Sequence, residues 1–233
     1  MKNTFLFFLI VLFTAVLHAQ SFTAPFGKRK KIILPDRTQV ILNSNSTLWL
    51  EKEFNKQQRR VRLEGDAYFD IVTSPKIFIV TTPHLKISTY GAAAKINAYP
   101  DVAGEETLLR SGKLKIVKSY YSKLDPDPYY LVAGDLLMMN RDIDLMEKEK
   151  FDTADLKRWV TDKIVFNNVD PKEFIKRIKE SFNVEIEVRG DVSDQIRFTG
   201  VFEAADLQKI LAVVGESWHF RYQAYQNNLV LKF

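Results

Sequence analysis

The chain has 233 residues, 46% of them hydrophobic, enough for one large or two small globular domains with real cores. A formal charge of +5, with no long basic stripe, gives no ground for nucleic-acid binding. The absence of cysteine excludes disulfides, a thiol nucleophile and a lipidated cysteine, so an exported form rests on its core alone, which suits a bacterial periplasm better than a eukaryotic exterior.

Residues 1–19, "MKNTFLFFLIVLFTAVLHA", combine a lysine near the start, an apolar stretch from Phe5 to Leu17 and a small residue, Ala19, before Gln20. This is the pattern of a signal peptide cleaved between Ala19 and Gln20. The stretch falls short of the roughly 20 apolar residues of a spanning helix. An uncleaved anchor, with the basic run "KRKK" at 28–31 just downstream, is the alternative, and only then does the chain touch a membrane. Residues 20–30 read as a basic N-terminal segment.

From 31 to 140, short β-rich runs recur between turn signals: "KIIL", "QVIL", "RVRLEGDAYFDIV", "KIFIVTT", "LKISTY", "ETLLR", "KLKIVK" and "YYLVAGDLLMM". Their spacing predicts an all-β domain, solenoid or sandwich-like. The run at 59–72 alternates most strictly. Val61, Leu63, Gly65, Ala67, Phe69 and Ile71 fall on one face, and Arg60, Arg62, Glu64, Asp66, Tyr68 and Asp70 on the other. Small residues at Gly65 and Ala67 predict close approach by a neighbouring strand.

Residues 141–160 are charged and weakly periodic and read as a linker. A different pattern follows over 161–233. Asp170, Pro171 and Glu173 have the positions of an N-cap, a first helical residue and the third residue of a capping box, and Phe174, Ile175, Ile178 and Phe182 share a helical face. After "VEIEV" and "QIRFTGVF", a second helix carries Leu207, Ile210, Leu211 and Val214, with Gly215 as its expected stop. "SWHFRYQAY" and "NLVLKF" close the chain as strands. With "KIVF" ahead of the first helix, the order is βαβ-βαββ. The fold class is therefore mainly β, an all-β domain followed by a small α/β domain.

The motifs "ILPDRTQVILNSNSTL", "RRVRLEGDAYFDIV", "IFIVTTPHLKISTYGAAAKINAYP", "LLRSGKLKIV", "LVAGDLLMMN" and "RWVTDKIVFNNVDPKEFIKRI" occur in an order that resembles the periplasmic part of FecR-type sensor and anti-sigma regulators. The terminal unit is similar to the short domain shared by secretins and TonB-dependent receptors, in the form found in Bacteroidetes. The resemblance implies signal transduction without catalysis, and a partner that is the signalling domain of a TonB-dependent outer-membrane transducer for iron siderophores or glycans. Family members usually begin with a cytoplasmic sigma-binding domain. Here a signal-like segment leads almost directly into the β domain, so a scaffold or decoy, or an anchored sensor with an incomplete start, stands as the alternative. Asp36-Arg37-Thr38 replaces the family's usual Asp-Gly-Ser turn, and "YGAAAKI" keeps Gly91 but loses an aromatic core residue.

Candidate chemistry is sparse. Glu64 and Asp66 point the same way on a strand, but Arg60 and Arg62 share that face, which favours a solvated or ion-paired surface over a metal site. His84 and His219 have no metal-spaced companions, Asn45-Ser46-Thr47 reads as turn chemistry, and Trp159 and Phe166 read as packing residues. No catalytic, cofactor or metal residues are expected. The one candidate binding element is the final strand, Leu229, Val230, Leu231, Lys232 and Phe233, which offers its main chain to a partner if it lies at a sheet edge; the alternative is a fully paired inner strand.

Overall fold

The computed structural model describes residues 20–124, 126–154, 156, 160, 163–203, 206–225 and 228–233. The signal segment, the Ala19 side of its cleavage point and Trp159 lie outside them.

The first domain is built from β1 (Ser21–Ala24), β2 (Lys30–Ile33), β3 (Gln39–Leu42), β4 (Ser46–Leu50), β5 (Arg59–Ile71), β6 (Phe78–Thr81), β7 (Leu85–Thr89), β8 (Ala92–Ala98), β9 (Gly104–Lys118), β10 (Tyr129–Val132), β11 (Asp135–Asn140) and β12 (Leu145–Lys150). Two long strands organise it. The start of β5 pairs with β4 and β6, and its second half with β3 and β8. β9 behaves alike, pairing first with β8 and β11, then with β7 and β10. The sheet thus folds over along β5 and β9 and encloses one core, to which Leu48, Val61, Val80 and Ile116 come from one layer and Val40, Phe69, Ala94 and Leu137 from the other. The two expected runs at 106–118 are one strand.

Gly65 sits where β5 changes partners. Its φ is +110°, and a Cβ there would lie 2.3 Å from Ser46 Oγ, so the expected close approach is real and only glycine meets it.

Alternation along β5 assigns the faces but not their cover. Arg60, Arg62 and Asp70 are exposed, whereas Asp66 and Tyr68, expected on the wet side, are buried. The second half of that face is roofed: Tyr68 and Ala93 cluster with Ile41 and Val160. Arg110 Nη1 donates to the Tyr68 hydroxyl at 3.0 Å. Asp66 Oδ2 accepts from Asn43 Nδ2 at 3.0 Å and faces Lys95 Nζ at 3.3 Å. At the other end Arg59 points inward, paired with Asp36 at 3.0 Å and donating to the carbonyls of Lys76, Val72 and Tyr90.

The turn before β3 survives without its usual glycine. Arg37 takes the left-handed conformation itself, φ +71°, while Asp36 Oδ1 accepts from the Thr38 amide. Four strands go beyond the sequence reading. β1 pairs with β4 inside the segment read as a basic tail, and β12 pairs with β11 inside the expected linker, so the β domain runs to Lys150. β4 and the alanine-rich β8 lie in stretches with weak strand signals.

The second unit comprises β13 (Lys163–Val169), α1 (Pro171–Phe182), β14 (Glu185–Arg189), β15 (Phe198–Glu203), α2 (Leu207–Trp218), β16 (Arg221–Tyr225) and β17 (Asn228–Lys232), the expected βαβ-βαββ order. Asp170 caps α1 by accepting from the Glu173 amide at 2.8 Å, with Pro171 at the first turn. α2 runs through Gly215, which was expected to stop it, and ends at Trp218 with His219 as an exposed left-handed cap. The small Gly215 instead admits the returning chain: its carbonyl accepts from the Phe220 amide at 3.1 Å, and a Cβ would sit 3.0 Å from Phe220 O. His219 is therefore solvent-facing, as expected, but not in a strand. The core joins the buried faces of both helices to Phe166, Phe198, Phe202, Leu229 and Leu231, with Phe166 in ring contact with Phe174, Phe198 and Phe202.

Candidate functional site

The carboxylates that stood out in the sequence are absorbed by structure. Glu64 pairs with Arg62 at 3.0 Å, and Arg62 lies over the Trp49 ring at 4.0 Å; Asp66 belongs to the buried Asn43–Lys95 group. They do not meet as a site. Among the described residues no group of three or more His, Asp or Glu side chains could hold a metal ion. His84 is held below its usual range by burial and by Arg141, against a smaller opposing effect of Asp142, and its amide donates to Glu105 Oε1 at 2.7 Å. Glu105 is a buried carboxylate that departs strongly from ordinary behaviour. Burial pushes its carboxyl up to about 7, while hydrogen bonds from Thr82 and the His84 amide act the other way. Its partners are the Thr82 hydroxyl, which also donates to the Leu85 carbonyl, and the His84 amide, so the carboxyl ties the turn between β6 and β7 to β9. Tyr99, at the boundary of the two units, has its hydroxyl raised by burial and by Asp66; it donates to the Ser44 carbonyl at 2.7 Å.

The strand edges of the α/β unit are different. Its strands form a two-stranded sheet, β13–β15, and a three-stranded sheet ordered β14–β17–β16. The last strand, a candidate edge in the sequence, is in the middle. Leu229, Val230, Leu231 and Lys232 are paired in parallel with β14 and antiparallel with β16, so their main-chain groups are spent on both sides. The Phe233 amide donates to the Arg189 carbonyl at 2.9 Å, and its ring packs 5.1 Å from that of Phe220. These five residues hold the sheet together and do not present an edge. The sequence carried a signal for this: "NLVLK" is far more apolar than "RYQAY", and the more apolar of two adjacent strands belongs inside.

The free edges pass to β14 and β16. β14 is defended by charge, with Glu187 paired to Arg189 along the strand and Glu185 paired to Lys179 of α1. β16 carries one charge, Arg221, in "RYQAY", and Tyr225 is 73% exposed. One end of β16, at Ala224, borders an open cleft of about 1040 Å³ between the two units, lined also by Phe26, Tyr99, Asp101, Asn183 and Glu185. On the opposite sheet, the cross-strand pair Val165 and Val201 is half-exposed, and Val201 shares a second groove with Val213 of α2. The arrangement offers main-chain pairing and apolar contact, which is recognition chemistry rather than catalysis.

No curated protein matches the chain. Two crystal structures, each described as a candidate anti-sigma factor from Parabacteroides distasonis, share the fold. One, at 1.65 Å resolution, has a TM-score of 0.60 and 23% identity, covering 91% of this chain and 98% of that one. The other, at 2.50 Å, has a TM-score of 0.61 and 22% identity, covering 92% and 99%. The family model for the FecR protein matches residues 20–114, so it takes in β1 and the segment after it as well as the strands expected from 31 onward. The model for the FecR C-terminal region matches residues 163–231, the α/β unit. With both models falling in order on the two structural units, the chain belongs to the FecR family.

Proposed function

We propose that the protein is a non-enzymatic signalling regulator of the periplasm, and that its α/β unit binds the signalling domain of a TonB-dependent outer-membrane transducer. Family membership and the anti-sigma description of its structural neighbour support the regulatory role. The observation that carries the binding mode is the strand order β14–β17–β16, which leaves β16 as an antiparallel edge with a single charge. A strand added there gains main-chain hydrogen bonds for affinity and side-chain contacts at alternate positions for selectivity. Tyr225 supplies a large amphipathic contact at the end of that edge. The β domain acts as the platform that presents the unit.

Affinity capture from a periplasmic extract with the full chain tests this. The expected result is recovery of a TonB-dependent transducer, reduced at least tenfold by Tyr225→Lys combined with Ala224→Lys, which put charge on the edge without touching the core. Repeated capture that returns no transducer, with the α/β unit folded, overturns the partner; capture unaffected by the edge substitutions overturns the mode.

A further inference from the structure

Between β1 and β2, residues 25–29 leave the β domain, cross the α/β unit and return. Phe22 packs on the core of the β domain and Phe26, four residues on, packs on the core of the α/β unit. Gly27 is held from both sides: its amide donates to Ser44 Oγ in the β domain at 2.9 Å, and its carbonyl accepts from the Leu207 amide, at the first turn of α2, at 2.9 Å. Lys28 forms a β-bridge with Asp206, the N-cap of α2, with Nζ 3.6 Å from its carboxylate. Arg29 Nη2 donates to the Ser181 carbonyl in the last turn of α1 at 2.9 Å, and its guanidinium lies 6.0 Å from the centre of the Phe182 ring.

The residue types fit the route. Gly27 has φ +71°, and a Cβ on it would come 3.0 Å from Leu207 Cβ, so chain and helix meet at glycine distance. Arg29 meets the carbonyl end of α1, where a cation complements the helix dipole. The first two residues of the basic run, Lys28 and Arg29, are thus spent on two helix termini, the start of α2 and the end of α1. On the other side, β1 is tied to β4, and Gln20 O accepts from the Leu50 amide at 2.8 Å.

We infer that residues 25–29 are a coupling strap: they make the helices of the α/β unit and the N-terminal strand β1 respond to each other, so that a partner bound to one is registered at the other. The coupling is reciprocal, since any free energy that binding at the α/β unit contributes to the strap's position is returned when β1 is displaced. That the coupled signal is partner docking rests on the function proposed above; the strap itself does not.

Hydrogen exchange on the full chain, with no partner present, separates the two. Ser44→Ala removes the acceptor for the Gly27 amide and leaves the Ser44 carbonyl, with its Tyr99 bond, in place. The expected result is exchange at least fivefold faster at Leu207 and in the last turn of α1, in the other unit, with β5 and β9 unchanged. Gly27→Ala should give a larger effect at the same positions. Unchanged exchange in both helices of Ser44→Ala, or equal acceleration throughout both units, overturns the strap. If the strap holds and transducer capture fails, only the identity of the coupled partner falls.

Discussion

The two units are stabilised by different chemistry. Every buried polar or charged side chain among the described residues, from Thr38 through Arg59, Asp66 and Glu105 to Asp135, belongs to the β domain. The α/β unit buries an apolar set led by Phe166, Phe174, Phe198, Phe202 and Trp218, its rings meeting at centroid distances of 5.2–6.3 Å. A folded-over sheet leaves turns and strand crossings whose main chain must be satisfied inside, and Arg59 does this for three carbonyls at once. Helices satisfy their own main chain, so the α/β unit needs caps and rings instead. The β domain is therefore the part whose stability answers to pH, and the α/β unit the part whose stability answers to shape.

The largest expected effects set the two side by side. Arg59→Leu leaves Asp36 as an uncompensated buried charge and removes the side-chain donor from the carbonyls of Val72, Lys76 and Tyr90, the last of which keeps the Ser74 amide, at a cost of about 3–5 kcal/mol. Phe174→Ala opens a cavity beside Phe166 and Trp218 at a similar cost of about 3–5 kcal/mol. Denaturant titrations read both. The contrast holds if exchange protection is lost first in the β domain for Arg59→Leu and first in the α/β unit for Phe174→Ala, and it breaks if the order is reversed.

Glu105 sharpens the pH half of the contrast. An acid raised from 4.5 to about 7 binds its proton more tightly when folded than when unfolded. Its stabilising contribution is complete below about 4.5 and is lost as pH climbs through about 7. At about 1.4 kcal/mol per unit this amounts to at most about 3–4 kcal/mol. Glu105→Gln should flatten the decline between pH 4.5 and 7 and leave the variant more stable than the parent at pH 8; an unaltered slope would falsify this assignment. The smallest effect is a gain. Arg37→Gly releases a left-handed non-glycine residue and should stabilise the β domain by about 1 kcal/mol, read as a raised melting temperature.

Much of this was legible in the residues, and the gaps have physical causes. Period-two alternation marked the inward face of β5, and Asp170-Pro171-Glu173 marked the start of α1, because both are local rules. Alternation does not say what lies over a face, so Asp66 and Tyr68 were placed in solvent although the opposite side of the sheet is covered near Val160. Alanine has little preference for strands, which hid β8. Strand order is non-local: the β16–β17 hairpin is visible in the sequence, but the parallel pairing with β14 that covers the other side of the final strand is not, so edge and inner positions could not be told apart. The strap was missed for a related reason: lysine and arginine near a chain end look solvated until helix termini 152 and 178 residues away supply their partners.

The central claim is that recognition happens at the β16 edge. Hydrogen exchange of the full chain, measured with and without the purified signalling domain of a captured transducer, addresses it directly. New protection is expected at the outward-facing amides within Arg221–Tyr225, with β14 unchanged. Protection confined to the β domain, or binding with no change along β16, would contradict it.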